Sequence, residues 1–455
     1  MDHKEHNVRD TTSGGFIRQL LILSIPLMLG AMCQNLYTLA DTAIVGRFIG
    51  VDALAAVGNT GWLIWPIFSI PYGLAQAGSI LGAQRFGQKD FLGLRRTVYN
   101  TILVTAMVAL VMTLVLQLAA PAMLRMIHTS DEIFDDSLLY LRICYGGILA
   151  VGLYNAFNGL LRSLGNTRTP FVAMLVASAV NIGLDLLFVC VFHWSVAGAA
   201  IATVISQILS AVVCGVSLRR VRFLRNEEKE PLRDWRLCGR LCRMGLPLSA
   251  ADLIIGIGGV VVQNQVNSYS VSFVAGYSAT TRLYGLMEAS GIAWGSAFAT
   301  FVGQNFGAGK FRRIRQSTWR AVLTSIGMAL FFTGMMYLFA GTILSVFADP
   351  GSHEGVEVMA YGKEYLLIMS TFLPILYVLH LIRAGLQALG STIVPLLSGV
   401  TEFTMRVCTV MFLPGLLGYR AVFFAEVIAW TGAAILLCAC YFVRLHRMPR
   451  DDRGM

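Results

Sequence analysis

Residues 97–120 read TVYNTILVTAMVALVMTLVLQLAA, and this stretch contains no charged side chain. An α-helix needs about 20 apolar residues to cross the hydrocarbon core of a bilayer. The stretch is long enough, and it is continuously apolar instead of alternating between apolar and polar residues. Because only helices and closed barrels satisfy their backbone groups in lipid, this pattern favours a membrane-spanning helix.

Eleven other stretches are also long and predominantly apolar, although some contain a few charged residues. Of the 455 residues, 56% are hydrophobic and only 13% are charged, whereas soluble domains carry roughly 25% charged residues. We therefore predict an all-α polytopic membrane protein with twelve transmembrane helices in two pseudo-symmetric six-helix lobes. The predicted helices cover residues 17–45, 53–81, 97–120, 138–160, 170–192, 195–218, 240–267, 273–301, 318–341, 364–387, 393–415 and 418–444.

The connections between these helices alternate in charge. Every connection that is rich in basic residues follows an even-numbered helix, as in the stretch from Arg219 to Arg243, while the segments 129–136 and 348–354 are acidic. Cytoplasmic loops of membrane proteins carry an excess of Lys and Arg. We therefore expect a multi-pass protein of the cell inner membrane with both termini in the cytoplasm, and the net charge of +10 does not indicate nucleic-acid binding.

Short patterns occur once in each half of the chain at nearly the same spacing, which indicates an internal repeat. We predict an N-terminal lobe of residues 1–222, a cytoplasmic linker of residues 223–239 and a C-terminal lobe of residues 240–455. Because each lobe has six helices, an even number, both lobes insert into the membrane in the same orientation. We therefore expect them to be related by a pseudo-two-fold axis along the membrane normal. The repeated patterns are SIP at 24–26 and GLP at 245–247, GAQRFG at 82–87 and GQNFG at 303–307, and LGNTRTP at 164–170 and LGSTIVP at 389–395.

The motifs VGQNFGA at 302–308, LGNT at 164–167 and LADTAIVG at 39–46 resemble those of the MATE (multidrug and toxic compound extrusion) family. The resemblance covers nearly the whole chain. Within the family, the chain is similar to the DinF-like bacterial branch. The resemblance implies a secondary active antiporter that exports organic, cationic or amphipathic compounds in exchange for H⁺ or Na⁺ by alternating access. The alternative is a flippase of the same superfamily for lipid-linked precursors or polysaccharides.

Other classes of protein find no support in the sequence. No GxxxxGK[ST] nucleotide-binding motif and no catalytic motif is present, so we predict that the protein is not an enzyme. We expect no cofactor besides the coupling ion. The expected partners are small-molecule substrates and the lipid bilayer, with no nucleic acid, and the expected state is a monomer.

Two carboxylates fall inside the predicted helices of the first half. Asp41 follows Gln34 and Tyr37 on one face of helix one, and Asp185 lies four residues after Asn181 on helix five. Two close carboxylates in a low dielectric cannot both stay ionised cheaply, and a proton or a Na⁺ ion would relieve their repulsion. We therefore predict a coupling site here, provided that the two helix faces converge.

If the helix faces converge, other helices add further polar side chains to this pair. They are Thr203 on helix six, and Asn155 and Asn158 on one face of helix four. The family resemblance assigns Asp41, Asn181, Asp185 and Thr203 to the cation or proton site, and Tyr37, Tyr140 and Asn158 to its border. The alternative is that Asp41 is wetted at the outer end of its helix and that Asp185 pairs locally.

The second half lacks an equivalent pair, because the repeat places Val262 opposite Asp41, and Arg406 and Val410 opposite Asn181 and Asp185. Some branches of the family carry acidic residues in this half, but the position of the one acid on helix seven, residue 252, does not clearly match them. This departure from the family pattern argues against a Na⁺ site in the second half.

Glu402 and Arg406 are four residues apart on helix eleven, so we predict a self-neutralising ion pair, with a role in substrate binding or lobe movement as the alternative. Glu288 has no obvious partner, and it is interpreted either as an attractor of cationic substrate or as a wetted structural acid. The residues expected to line the substrate cleft are Gln34, Tyr37, Tyr140, Asn155, Asn158, Gln263, Asn264, Asn267, Glu288 and Arg406.

Overall fold

The computed structural model describes residues 8–225, 231–345 and 352–449, and every regular element in these ranges is helical. Parts of the predicted linker and of the acidic segment 348–354 lie outside the described residues. The helices are α1 (Phe16–Phe48), α2 (Val51–Gly87), α3 (Phe91–Met126), α4 (Asp131–Gly146), α5 (Ile148–Ser163), α6 (Arg168–Asp185), α7 (Ser195–Arg219), α8 (Trp235–Val266), α9 (Val271–Gly307), α10 (Phe311–Leu344), α11 (His353–Thr371), α12 (Leu373–Ala388), α13 (Ile393–Phe412), α14 (Pro414–Leu417) and α15 (Arg420–His446).

All twelve predicted membrane runs fall on a helix or on a helix pair, which confirms the predicted number of spans. In the described chain, eight helices are long and apolar enough to cross a membrane alone, and three bent helix pairs raise this number to eleven. The twelfth is α9, which is 37 residues long and coincides with the predicted helix eight.

One of the three bends lies within α2, and the other two each join two separate helices. The pair α4 and α5 bends by 42° around Gly147, and the pair α11 and α12 bends by 49° around Phe372. A Cβ atom on Gly147 would lie 2.7 Å from Val204 Cγ2, so only glycine allows α7 to pack this closely against the bend. The bend therefore brings the middle of this span against α7, which contributes to the candidate site.

The chain packs into two compact units. Unit 1 contains the described residues up to Gly14 together with Ile22–Ala250, and unit 2 contains Gly15–Leu21 together with the described residues from Ala251 onwards. The division therefore falls within α1 and within α8. It does not coincide with the lobe boundaries predicted at residues 222 and 240, which stay a prediction.

Side-chain contacts explain this division. In unit 1, Asn100 lies on α3 and donates its amide to the carbonyl oxygen of Leu232 at 2.7 Å, while its own oxygen accepts from the backbone N–H of Asp234 at 3.0 Å. In unit 2, the ring of Phe16 packs edge-on against Phe301 with ring centroids 4.9 Å apart. The first turns of α8 and of α1 are thus each held by a helix of the unit to which they belong.

Small residues and aromatic rings fill the two cores. In unit 1, Val45, Tyr140 and Ala199 belong to one buried cluster, which joins α1, α4 and α7. In unit 2, the rings of Tyr277 and Tyr365 stack at 4.8 Å between centroids. Close helix packing with small residues and interlocking rings is typical of membrane interiors, where lipid provides no hydrophobic driving force.

Candidate functional site

The structure brings the carboxyl groups of Asp41 on α1 and Asp185 on α6 together in unit 1. The two side chains lie close enough for their carboxyl groups to interact electrostatically. Asp41 is 9% exposed and Asp185 is 0% exposed. Among the described residues, neither oxygen of Asp185 nor Oδ1 of Asp41 has a hydrogen-bond donor.

Asn181 lies one turn before Asp185 on α6 and is also buried, at 1% exposed. Within the described part of the chain, both its amide nitrogen and its amide oxygen lack a partner. Asn181 lines a narrow cavity together with Tyr37 and Thr203. The predicted site residues of α1, α6 and α7 therefore converge, with unpartnered carboxylate and amide oxygens of the kind that bind a hard cation.

Tyr140 lies close to this pair. It is buried on α4 next to Cys144, and its phenol group interacts electrostatically with both Asp41 and Asp185. On α1, the hydroxyl group of Tyr37 interacts with Asp41. Both tyrosines that the sequence places at the border of the site thus lie within electrostatic range of a carboxyl group.

The remaining predicted residues of the first half lie further from the carboxyl pair. Asn158 interacts with the hydroxyl group of Tyr154, and its buried Oδ1 has no hydrogen-bond partner in the described ranges. Asn155 is half-buried on α5, and Gln34 is exposed on α1 close to Tyr37. The described structure shows no hydrogen bond from Asn155 or Gln34 to either carboxyl group.

A π-helical segment, Leu186–Val191, begins directly after Asp185. Its wider turn is seen in the hydrogen bond from the N–H of Phe192 to the carbonyl oxygen of Leu187, at 3.0 Å. Gly198 on α7 packs against this segment, because a Cβ atom there would lie 3.0 Å from Phe188 Cβ. π-helical turns are rare and occur frequently at functional sites, and this one adjoins Asp185 directly.

In unit 2, the predicted Glu402–Arg406 ion pair is present but long, and each of the two residues has a closer partner on another helix. Glu402 contacts Arg383 of α12 directly, and Arg406 Nη2 lies 2.6 Å from Glu426 Oε2 of α15. The distance between Arg406 Nη2 and Glu402 Oε2 is 4.0 Å. Arg406 also donates to the carbonyl oxygen of Ile255 at 3.0 Å. Each member of the predicted pair therefore has its closest charged partner on another helix, because a buried guanidinium has several donors to satisfy.

The structure also supplies a partner for Glu288, whose Oε1 lies 3.4 Å from His380 Nε2. Asp252 interacts electrostatically with His380 and with Arg383. The predicted site residues do not include His380, Arg383 and Glu426, although these are polar residues inside the predicted apolar runs 364–387 and 418–444. That position is the signal that could have identified them, because such residues are costly in a membrane.

The three predicted amide residues of α8 lie at or near the end of that helix. Gln263 donates its amide to Asn267 Oδ1 at 2.8 Å, and Asn264 and Asn267 are exposed. Val262, which the repeat places opposite Asp41, is buried. Unit 2 thus has no carboxylate at the position that corresponds to Asp41.

Comparison with known proteins places these features in a family. The MatE family model matches this chain twice, at residues 26–187 and at residues 247–412. The first match includes Asp41, Asn181 and Asp185, and the second includes Glu288, Glu402 and Arg406. The sequence repeat and the family match therefore agree in their positions.

Several curated proteins are similar over most of the chain. The "Probable multidrug resistance protein YpnP" of Bacillus subtilis is 25% identical, with 87% of this chain and 87% of that protein covered. The "FAD transporter" of Shewanella oneidensis is 27% identical over 77% of this chain and 78% of that protein. The "Multidrug export protein MepA" of Staphylococcus haemolyticus is 21% identical over 96% of both chains.

Solved structures show the same fold. A MATE structure in a bent conformation has a TM-score of 0.88 at 22% identity, covering 96% of this chain and 97% of that one. An outward-facing multidrug resistance MATE transporter has a TM-score of 0.89 at 22% identity, covering 97% and 98%. These comparisons do not separate the branches of the family, so the DinF-like assignment stays a prediction.

Proposed function

Because this chain belongs to the MatE family, whose members are transporters and not enzymes, we propose that it exports organic, cationic or amphipathic compounds in exchange for H⁺ or Na⁺. The names of its relatives as multidrug resistance and multidrug export proteins support this proposal. The coupling ion binds at the carboxyl pair of the first half, and substrate binding and ion binding alternate during the transport cycle.

The buried pair of Asp41 and Asp185 is the observation that carries this proposal. Its oxygens have too few donors in the described structure to stabilise two negative charges. Burying an unpaired carboxylate is costly, so the pair takes up a proton or a cation. Asn181 supplies an unpartnered amide oxygen one helical turn away, and the cavity beside it includes the hydroxyl group of Thr203. Proton binding and Na⁺ binding both fit these groups.

The direction of transport rests on the charge pattern of the connections. Every connection that is rich in basic residues follows an even-numbered span, and this pattern favours an orientation with both termini in the cytoplasm of a cell inner membrane. In this orientation, the ion enters from outside, reaches the carboxyl pair and lowers the affinity for substrate. Cytoplasmic substrate then displaces the ion in the next cycle. The transporter works as a monomer in the bilayer.

The flippase alternative requires basic side chains that are free to bind phosphate groups. Arg383 and Arg406, the basic residues in the core of unit 2, are instead paired with Glu402 and Glu426. This pairing favours efflux of small molecules over the flipping of lipid-linked precursors. One relative is named a FAD transporter, so an anionic dinucleotide belongs among the compounds to be tested.

The proposal is tested by reconstituting the full-length protein in liposomes and measuring the efflux of ethidium driven by a pH gradient or a Na⁺ gradient. We expect wild-type efflux with one of the two gradients and none with Asp41→Asn, since an amide cannot hold the exchanged charge. Asp135→Asn makes the same chemical change at an exposed position of α4 and serves as the matched control. Normal efflux by Asp41→Asn would overturn the assigned site.

Varying the Na⁺ concentration at fixed pH then identifies the coupling ion. Counterflow of labelled ethidium, compared with counterflow of FAD and with movement of a labelled phospholipid, separates drug export from dinucleotide export and from flipping. Movement of the phospholipid without ethidium counterflow would establish the flippase alternative in place of this proposal.

A further inference from the structure

The narrow cavity of unit 1 continues away from the carboxyl pair between α6 and α7. Beyond Asn181 it is lined by Ser178 on α6 and by Ser206, Gln207 and Ser210 on α7. All of these side chains are polar and uncharged, although they lie between two helices that are otherwise apolar. The alternative explanation is a packing gap between the helices, and the experiment below separates the two.

The cavity contains polar atoms that need a partner. Both side-chain polar atoms of Asn181 and Oε1 of Gln207 are buried and have none in the described structure. The Ser178 and Ser206 hydroxyl groups donate to backbone carbonyl oxygens at 2.8 Å, so their own oxygens can still accept. Buried polar groups are nearly always satisfied, and ordered water is the usual partner where protein atoms are missing. The free space suits about one water molecule, so the cavity is built to hold an ordered water there.

The position of the cavity relative to the carboxyl pair gives that water a role. Asn181 and Thr203 lie at the end nearest to Asp185, and Met174 and Ser210 line the other end, because α6 and α7 run in opposite directions. In the orientation proposed above, the end at Ser210 points towards the cytoplasm. The acidic groups Asp41 and Asp185 lie beyond the Asn181 end of the cavity. Tyr37 is the titratable group that lines the cavity itself.

We infer that this cavity holds water that accepts the coupling proton from the Asp41–Asp185 pair and passes it towards the cytoplasm, with Gln207 as the residue that positions the water. The inference rests on the proposed function with H⁺ as the coupling ion. In the transfer step, the O–H bond of the carboxyl group breaks and the cavity water gains the proton. The carboxylate keeps the electron pair, and the excess proton leaves through water at the Ser210 end.

Proton release from the purified full-length protein tests this inference. The protein is equilibrated in weak buffer at mildly acidic pH, ethidium is added, and a pH-sensitive dye follows the released protons by stopped flow. We expect Gln207→Leu to slow proton release about tenfold without changing the number of protons released or the affinity for ethidium, because leucine fills the cavity and offers no polar group. Gln207→Ser, which keeps a hydroxyl group and leaves room for water, is expected to release protons at nearly the wild-type rate.

Gln265→Leu on α8 removes an amide far along the chain from this cavity and is the matched control. If Gln207→Leu releases protons as fast as the wild type does, the inference is overturned. The proposed function stands in that case, provided that the wild-type protein releases protons when ethidium binds. Equal slowing in Gln207→Leu and Gln207→Ser would also overturn it, since that result points to helix packing. If the wild type releases no proton when ethidium binds, both the H⁺ coupling and this inference fail.

Discussion

Arg406 lies 2.6 Å from Glu426 on a neighbouring helix, and 4.0 Å from Glu402 one turn earlier on its own helix. The guanidinium thus joins α13 to α15, while Glu402 contacts Arg383 and joins α13 to α12. Ion pairs that connect different helices restrict the motion of those helices, whereas a pair within one helix does not. The charged residues of unit 2 therefore hold three helices together.

The first prediction concerns this connection. Glu426→Gln is expected to destabilise the protein by about 3–5 kcal/mol, because it leaves the Arg406 charge buried with a poorer partner. The double variant Arg406→Met, Glu426→Leu is expected to lose less stability than the sum of its two single variants. Thermal unfolding of the protein in detergent measures both effects. Additive losses would contradict a direct Arg406–Glu426 interaction.

The second prediction concerns the other carboxylate of the proposed coupling site. We expect Asp185→Asn to reduce gradient-driven ethidium efflux to the level of empty liposomes, because one carboxylate alone cannot exchange an ion as the pair does. Its Tm should stay close to that of the wild type, since asparagine has the same shape and a smaller desolvation cost. A variant with normal efflux, or one that fails to fold, would contradict this expectation.

The third prediction concerns the glycine that faces the π-helical segment. Gly198→Val is expected to destabilise the protein by about 1–3 kcal/mol and to reduce efflux, because the added side chain pushes Phe188 away from α7 and moves Asp185 with it. Gly183→Ala on α6 is the control, since a Cβ atom there meets no neighbouring atom within 4 Å. Equal efflux by the two variants would show that the segment does not position the site.

The fourth prediction concerns the start of α8. Asn100→Ala is expected to cost about 1–3 kcal/mol, because the backbone groups of Leu232 and Asp234 lose their partner. Proteolysis between α7 and α8 should become faster, while Asn59→Ala at a less buried amide serves as the control. Unchanged proteolysis and unchanged Tm would show that Asn100 does not hold this segment.

The sequence predicted the number and location of the spans because hydropathy is a local property. A run such as 97–120 is apolar whatever it packs against, and it lies entirely within α3. The ends of helices were predicted less well, since α3 begins at Phe91 and includes basic residues that hydropathy assigns to a loop. The bends at Gly147 and Phe372 were not predicted, because they depend on packing against other helices.

Convergence of Asp41 and Asp185 could be anticipated from helix faces and from the family resemblance, and the structure places the two side chains together. Their role in coupling stays a prediction. The Arg406–Glu426 contact could not be derived in the same way, because residues 20 positions apart on two helices meet only through the fold. Spacing rules describe neighbours on one helix and favoured Glu402 for that reason.

The π-helical segment after Asp185 also affects the rotation of the residues that follow it. A turn closed by a hydrogen bond across five residues holds one residue more than the α-helical turn that it interrupts. Deleting one residue between 186 and 191 would restore regular α-helical bonding and rotate everything beyond it by about 100° relative to Asp185. The extra residue thus sets the angular register between the carboxylate and the C-terminal end of its span.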